Sequence, residues 1–258
     1  MGSLIAMAVF DSIENKRSSY TRETLECLAE TIHRKTDRLY VIDNASCEET
    51  KKILNWYKKT GIIDTLITLP ENIGTARAIN KAWKYRNPGD NCVKLDNDVL
   101  IYSNDWIEQL EEAIKRDPQI GIVGLKRKDC EERPDSQNPW YKSELSFLPH
   151  TPGQSWIPFE EVQHVMGTCQ MFSSSLLDKI GYLNQPGIYG FDDSLASFRA
   201  RIAGFKVGFL PAISMDHIDT LETPYWKAKQ DLAGKDMDAY NKLCQEYLSG
   251  ERSVYYED

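Results

Sequence analysis

The chain has 258 residues, of which 41% are hydrophobic and 27% charged, with a formal net charge of −8. That length supports one large domain or two small ones burying roughly three quarters of the unfolded surface, and the composition excludes a disordered or fibrous architecture. The acidic balance disfavours nonspecific binding to nucleic acid or anionic membrane, although the run KRK at 126–128 leaves room for a local basic patch.

The first apolar run, LIAMAVF, is too short to cross a bilayer and has neither a basic leader nor a cleavage site behind it, so it predicts the first strand. Next comes a helix with Leu25, Leu28, Ala29 and Ile32 on one face, then the strand RLYVIDN, a helix around KKILNWYKK and the strand IIDTLITL. Gly74 and Thr75 open a helix carrying Ala76, Ile79 and Trp83 on one stripe, CVKLDND is a fourth strand, and a helix from about Asn104 to Arg116 closes this half. Such alternation predicts an α/β domain with a mainly parallel, Rossmann-like sheet. In open sheets of this kind ligands collect beyond the carboxyl ends of the strands. Three of these strands end in polar side chains, Asp11, Asp43 with Asn44, and Asp96 with Asp98, which predicts one shared crevice.

The second half is less regular. Residues 126–161 are rich in Pro, Asp, Ser and aromatic side chains, too long for an ordinary connection, and are read as an acceptor-side loop in which Trp140, Tyr141 and Trp156 are candidates for stacking on a sugar. EVQHVMGTCQMFSS reads as a strand, SLLDKIG as a short helix ending at Gly181, and LASFRARIAGF as a helix ending at Gly204. KVGFLPAISMDH reads as paired short strands broken at Pro211, and residues 221–258 as a C-terminal helical arm on a domain of residues 1–220. The six cysteines, Cys27, Cys47, Cys92, Cys130, Cys169 and Cys244, show no CxxC spacing, which argues against a zinc knuckle or disulfide scaffold and predicts reduced thiols in the cytoplasm.

The chemistry sits in the carboxylates. VKLDNDVLI, residues 93–101, interrupts an apolar run with two aspartates two residues apart, which concentrates negative charge on one face of an extended backbone or around one turn. Carboxylate oxygens are hard ligands suited to Mg2+ or Mn2+, ions that keep waters and complete their shells with substrate phosphates, so the triplet implies a diphosphate-bearing substrate. Gly74 permits a tight turn or close backbone approach, Asn72 and Asn80 offer local hydrogen bonds, and Arg77 offers charge against phosphate.

Four segments together resemble a family 2 glycosyltransferase of the GT-A fold: RLYVIDNAS, ENIGTARAIN, VKLDNDVLI, and GFDDSLASFRARIAGFKVGFLP followed by His217. The resemblance runs from about residue 4 to residue 220, with 4–101 as the nucleotide-sugar half and 102–220 as the acceptor half. It implies a nucleotide-sugar donor, with UDP as the expected carrier, and an acceptor hydroxyl. Asp11, Asp43, Asn72, Gly74, Arg77, Asn80, Asp96 and Asn97 would contact the donor, with Asp43 reading the base, and Asp96, Asp98 and His217 would hold Mn2+ or Mg2+. His33, His150 and His164 have no such motif support. The acceptor step needs a carboxylate within hydrogen-bond reach of the incoming hydroxyl. Asp192 and Asp193 are the candidates: counting from Gly190 favours Asp192, and counting back from Arg199 favours Asp193, the preferred choice. Inversion by single displacement is what the resemblance implies. A nucleotidyltransferase is the rival enzyme, but VFDSIENKRSSY lacks the glycine-rich loop such enzymes carry, and a noncatalytic carbohydrate-binding protein of the same fold is the rival without turnover.

Overall fold

Strands of β1 (Leu4–Val9) type, apolar on both faces, need helices on each side, and the chain provides them. The structure is a computed structural model that describes residues 2–33, 36–131, 143–219 and 224–258. The first half runs β1, α1 (Ser18–Thr31), β2 (Arg38–Asp43), α2 (Glu48–Lys59), β3 (Thr65–Thr68), α3 (Thr75–Trp83), β4 (Cys92–Leu95), β5 (Val99–Leu100), α4 (Trp106–Arg116). The remainder runs β6 (Ile120–Arg127), α5 (Lys128–Glu131), β7 (Glu144–Phe147), β8 (Pro158–Glu161), β9 (Cys169–Phe172), α6 (Ser174–Ile180), α7 (Asp192–Ile202), β10 (Lys206–His217), α8 (Pro224–Lys235), α9 (Met237–Ser249).

The sheet has the order β3-β2-β1-β4-β9-β6-β10-β8-β7. Strands β3, β2, β1 and β4 are mutually parallel, as are β6 and β10, while β9 is wedged antiparallel between β4 and β6. Alternation along β1 sorts the core. Ile5, Met7 and Val9 pack with Leu25, Leu28, Leu54 and Trp106 on one face, and Leu4 and Ala6 pack with Ala76, Ile79, Trp83 and Leu176 on the other.

Local chemistry fixes the helix ends. Glu48 and Glu49 open α2 and Lys58 and Lys59 close it, complementing its dipole. Ser173 caps α6 by accepting from the Leu176 N–H, and Gly181, at φ 71°, ends it. The KRK run forms no free basic patch, since Lys126 pairs with Glu160, Arg127 with Asp129 and Lys128 with Asp216.

Two sequence expectations change. EVQHVMGTCQMFSS is not one strand: β8 ends at Glu161, a loop follows, and β9 begins at Cys169, so His164 sits in the loop. KVGFLPAISMDH is one long strand rather than two. Its pairing with β6 jumps from Leu210 to Ser214, so Pro211 occupies an irregular stretch where no ladder hydrogen bond is asked of it. Among the cysteines, Cys27, Cys47, Cys92, Cys169 and Cys244 are free thiols. No helix among the described residues is long and apolar enough to cross a membrane.

The C-terminal arm is tied to α7 by a buried arginine. Arg199 is fully buried, donating from Nε and Nη2 to the Val254 carbonyl at 2.8 and 2.7 Å, from Nη1 to the Tyr182 carbonyl at 2.8 Å, and to the Ile180 carbonyl. Burial pushes its guanidinium down to about 10. Arg199→Leu takes this donor from the Val254 and Tyr182 carbonyls, while the Ile180 carbonyl keeps the Tyr256 N–H at 2.8 Å, and urea denaturation is expected to show a loss of about 3 kcal/mol. Limited proteolysis should then cut within residues 250–258; an unchanged urea midpoint would contradict this role for Arg199.

Candidate functional site

The strand β4 stops at Leu95 because Asp96 turns out of it, its N–H bonding the Thr168 carbonyl at 3.0 Å. Asp98 closes the turn, and the two-residue strand β5 comes next, paired antiparallel with the end of β10 so that Val99 faces His217. This pairing carries His217 to Asp98, with His217 Nε2 3.4 Å from Asp98 Oδ2. Asp219, two residues on, completes a group: ligand atoms of Asp98, His217 and Asp219 lie within 4.8 Å of one another. Asp98 Oδ1 and His217 Nδ1 are buried with no hydrogen-bond partner. Burial alone would push the Asp98 carboxyl up, but His217 and Arg17 outweigh it and hold it well below the usual carboxylate range. Two of the three expected metal ligands therefore meet. The third, Asp96, pairs instead with Lys94 at 3.1 Å, and Asp219, which no sequence motif marks, stands with Asp98 and His217.

A second acidic group faces this one across a cavity of about 410 Å³. It is built on a sharp turn: Gly190 has φ 84° and Phe191 φ 67°, the latter a left-handed conformation costing roughly 1–2 kcal/mol. Phe191 is stacked on Tyr240 of α9 at 4.5 Å. The turn aims Asp192 and Asp193 into the first turn of α7, where the helix dipole favours negative charge. Asp193 Oδ2 accepts from the Gly167 N–H at 2.9 Å and lies 3.2 Å from His164 Nε2. Burial opposes ionisation of Asp193, but His164 and Lys94 overcome it and hold the carboxyl low. Burial outweighs Lys94 at Asp192 and pushes that carboxyl up.

Lys94 links Asp96 to the Asp192–Asp193 pair. It is 3% exposed, donates to the Gly167 carbonyl at 2.6 Å and to Asp96 Oδ1 at 3.1 Å, and lies 3.4 Å from Asp192 Oδ2. Burial would discharge the ammonium; Asp192, Asp96 and Asp193 keep it protonated. Gly167 is thus held at its N–H by Asp193 and at its carbonyl by Lys94. A Cβ at Gly167 would fall 2.5 Å from Lys94 Nζ and 3.2 Å from Asp193 Cβ. Gly167→Ala is therefore expected to displace both, lowering turnover about 100-fold while far-UV circular dichroism stays unchanged; wild-type turnover would show that the peptide tolerates the methyl group.

The other expected donor residues divide between lining and support. Asn44 and Asn72 line the cavity, Asn44 donating to Asn72 Oδ1 at 2.8 Å and accepting from the Ile73 N–H at 3.0 Å. Gly74, at φ 90°, lies against the 185–190 segment, where a Cβ would meet the Ile188 carbonyl oxygen at 2.9 Å. Asn80 is fully buried and clamps Leu183, donating from Nδ2 to its carbonyl and accepting at Oδ1 from its N–H. Asp43 is buried and accepts from the Ser46 N–H at 2.8 Å. Asp11 is buried below the cavity, its carboxyl pushed up by burial and partly restored by Thr21 and Thr50, and it accepts from Asn97 at 3.1 Å. Asn97 lines the cavity but spends its amide on Asp11 and Thr21. Arg77 is exposed and outside the cavity lining. The structure thus brings Asn44, Asn72, Asp96, Asn97, Asp98, Asp192, Asp193 and His217 to one cavity, with Asp11, Asp43 and Asn80 behind the wall.

The far wall is α8, which contributes Tyr225, Trp226, Lys229 and Leu232. Trp140 and Tyr141 lie outside the described residues. Trp156 is 61% exposed, its ring tilted 48° against that of His150 at 3.6 Å and edge-on to Phe147 at 5.4 Å, outside the cavity lining.

The model of Glycosyl transferase family 2 matches residues 8–181, well over half of the chain. The chain belongs to that family. The family 2 match ends before Asp192, His217 and Asp219, so the second half of the site lies beyond the matched residues. Solved structures carry the fold further. A mannosyltransferase, PcManGT from Pyrobaculum calidifontis in complex with GDP-Man and Mn2+, superposes with a TM-score of 0.63 at 18% identity, covering 88% of this chain and 60% of that one. TarS 1–349 from S. aureus matches at TM-score 0.61 and 16% identity, over 84% of this chain and 60% of that one. GalNAc-T7 with UDP, GalNAc and Mn2+ matches at TM-score 0.64 and 16% identity, over 86% of this chain and 44% of that one. This family 2 chain is matched over most of its length yet spans under two thirds of each of those chains. No curated protein sequence matches it.

Proposed function

We propose that the protein transfers a sugar from a nucleotide sugar, with UDP as carrier, to an acceptor hydroxyl, with inversion at the anomeric carbon and with a divalent cation. The observation that carries this reading is the cavity in which the Asp98, His217 and Asp219 group faces the Asp192–Asp193 pair. Nucleotide-sugar ligands in two of the similar structures, GDP-Man with PcManGT and UDP-GlcNAc with TarS, support the donor class.

The residues fit a cation. Two carboxylates and an imidazole, with the buried Asp98 Oδ1 and His217 Nδ1 lacking partners, make a mixed oxygen and nitrogen set suited to Mn2+ and, with less nitrogen tolerance, Mg2+. When bound, the ion supplies positive charge against the diphosphate as the leaving group departs. The chain's own groups do the rest. Asn44 and Asn72 shape the donor side, and Lys94 fixes the spacing between Asp96 and Asp192. The side chains of α8 form one wall of the cavity. Asp193, kept ionised by His164, takes the acceptor's hydroxyl proton as that oxygen bonds to the anomeric carbon; the bond to the diphosphate breaks and its electron pair leaves with the diphosphate. His164 is a positioning residue for Asp193, and no local sequence signal singles it out.

A screen of nucleotide sugars with Mn2+, scoring release of nucleoside diphosphate with and without hydroxyl acceptors, tests the proposal. Release from one donor, stimulated by one acceptor class, is the expected result. Silence toward every donor, with no binding of nucleoside diphosphate in the presence of Mn2+, would overturn it.

A further inference from the structure

The carboxylates that meet His217 already hold a cation of the chain's own. Arg17, just before α1, lies with Nη1 2.6 Å from Asp219 Oδ1 and pairs through Nη2 with Asp98 Oδ2. Its side chain is 4% exposed and lies over the rings of Tyr20 and Tyr225, 5.2 and 5.1 Å from their centroids. Lys229 of α8 adds a second cation, 3.1 Å from Asp219 Oδ2. The forked guanidinium therefore spans the two carboxylates that any metal ion at this place would need.

Charge balance limits which ions this cluster admits. Two carboxylates in contact with two cations form a locally neutral group, and a divalent ion entering it would leave the group doubly positive with little water to screen the repulsion. A nucleotide sugar's diphosphate brings two negative charges and offers the guanidinium a bidentate partner as good as a carboxylate. Arg17 and Lys229 both line the cavity, so the exchange needs no passage through the core.

We propose that Arg17 makes binding of the divalent ion conditional on the nucleotide: ion and diphosphate enter together, and the guanidinium passes from the carboxylates to the phosphate. This rests on the reading of the cavity as a nucleotide-sugar site. Linkage gives it a measurable form, because the factor by which UDP tightens Mn2+ equals the factor by which Mn2+ tightens UDP.

The test is a Mn2+ titration, with unbound Mn2+ followed by electron paramagnetic resonance, on the full chain and on Arg17→Gln and Arg17→Lys, with and without UDP. In the wild type UDP is expected to tighten Mn2+ at least about tenfold. Arg17→Gln should tighten nucleotide-free Mn2+ by at least about tenfold and shrink the UDP effect correspondingly. Arg17→Lys keeps one charge but cannot fork across both acids, and should fall between. Removing the guanidinium leaves two buried acids poorly balanced, so Arg17→Gln should melt at a lower temperature and recover with Mn2+ alone, which should leave the wild-type Tm unmoved. If wild type binds UDP with Mn2+ while both variants match its nucleotide-free Mn2+ affinity and thermal response, the role of Arg17 is overturned by itself. If the wild type binds no Mn2+ even with UDP, the metal-dependent reading falls and takes this inference with it.

Discussion

Asp98→Asn is expected to weaken Mn2+-dependent UDP binding by at least about 100-fold in a calorimetric titration. The side chain is 3% exposed and serves two neighbours at once, His217 and Arg17, within the group that would hold the proposed cation. An amide keeps the shape but removes the charge that Arg17 and His217 are arranged around. A buried ion pair stripped of one partner costs about 3–5 kcal/mol, and Asp219, the second partner of Arg17, reduces that figure here. Stability should therefore drop alongside affinity, and the drop has a pH signature. The Asp98 carboxyl is held below its unfolded value of about 3.9, so its contribution is fully present above that pH and is lost as pH falls toward the depressed value. Asp98→Asn should lose stability at pH 7 and flatten the acid limb of the stability curve. Unchanged UDP affinity would remove Asp98 from the site.

Asp193→Asn is expected to leave UDP and Mn2+ binding intact while lowering the transfer rate about 100- to 10,000-fold, the range for loss of a general base. The separation arises from position: Asp193 touches Gly167 and His164 but none of the Asp98, His217 and Asp219 group. Asp192→Asn is the necessary comparison, because Asp192 also lines the cavity and sits beside Lys94. Its carboxyl, pushed up by burial, is better suited by basicity to accept a proton, whereas Asp193 is more open and is kept ionised. Loss of transfer in Asp192→Asn, with Asp193→Asn active, would reassign the base to Asp192.

The sequence discloses those parts of the site that rest on local pattern. The stripe Ala76, Ile79 and Trp83 marks α3 because a helix repeats every 3.6 residues, and the paired aspartates at 96 and 98 stand out because they interrupt an apolar run. Four features are not local. Lys94 looks like a stray charge in a strand until Asp192, nearly a hundred residues later, arrives beside it. Arg17 and Asp219 are ordinary surface residues by composition, and only the fold turns them into a buried pair. His164 lies in a stretch with strand-like residues but no strand, so neither its place nor its partner is readable in advance. The break expected at Pro211 fails for a related reason: the missing N–H falls where β10 has slipped against β6 and no partner is waiting for it.

The brevity of β5 has its own consequence. Two residues cannot persist as a strand without a neighbour, so the geometry at Asp98 exists only while the end of β10 is docked, with the Ile218 N–H bound to the Asp98 carbonyl at 2.9 Å. A nascent chain emerging from the ribosome would complete residues 4–101 long before this seam could close. Closure of the seam would then be the event that sets Asp98 beside His217, and unzipping a few residues would be enough to part them without melting the core.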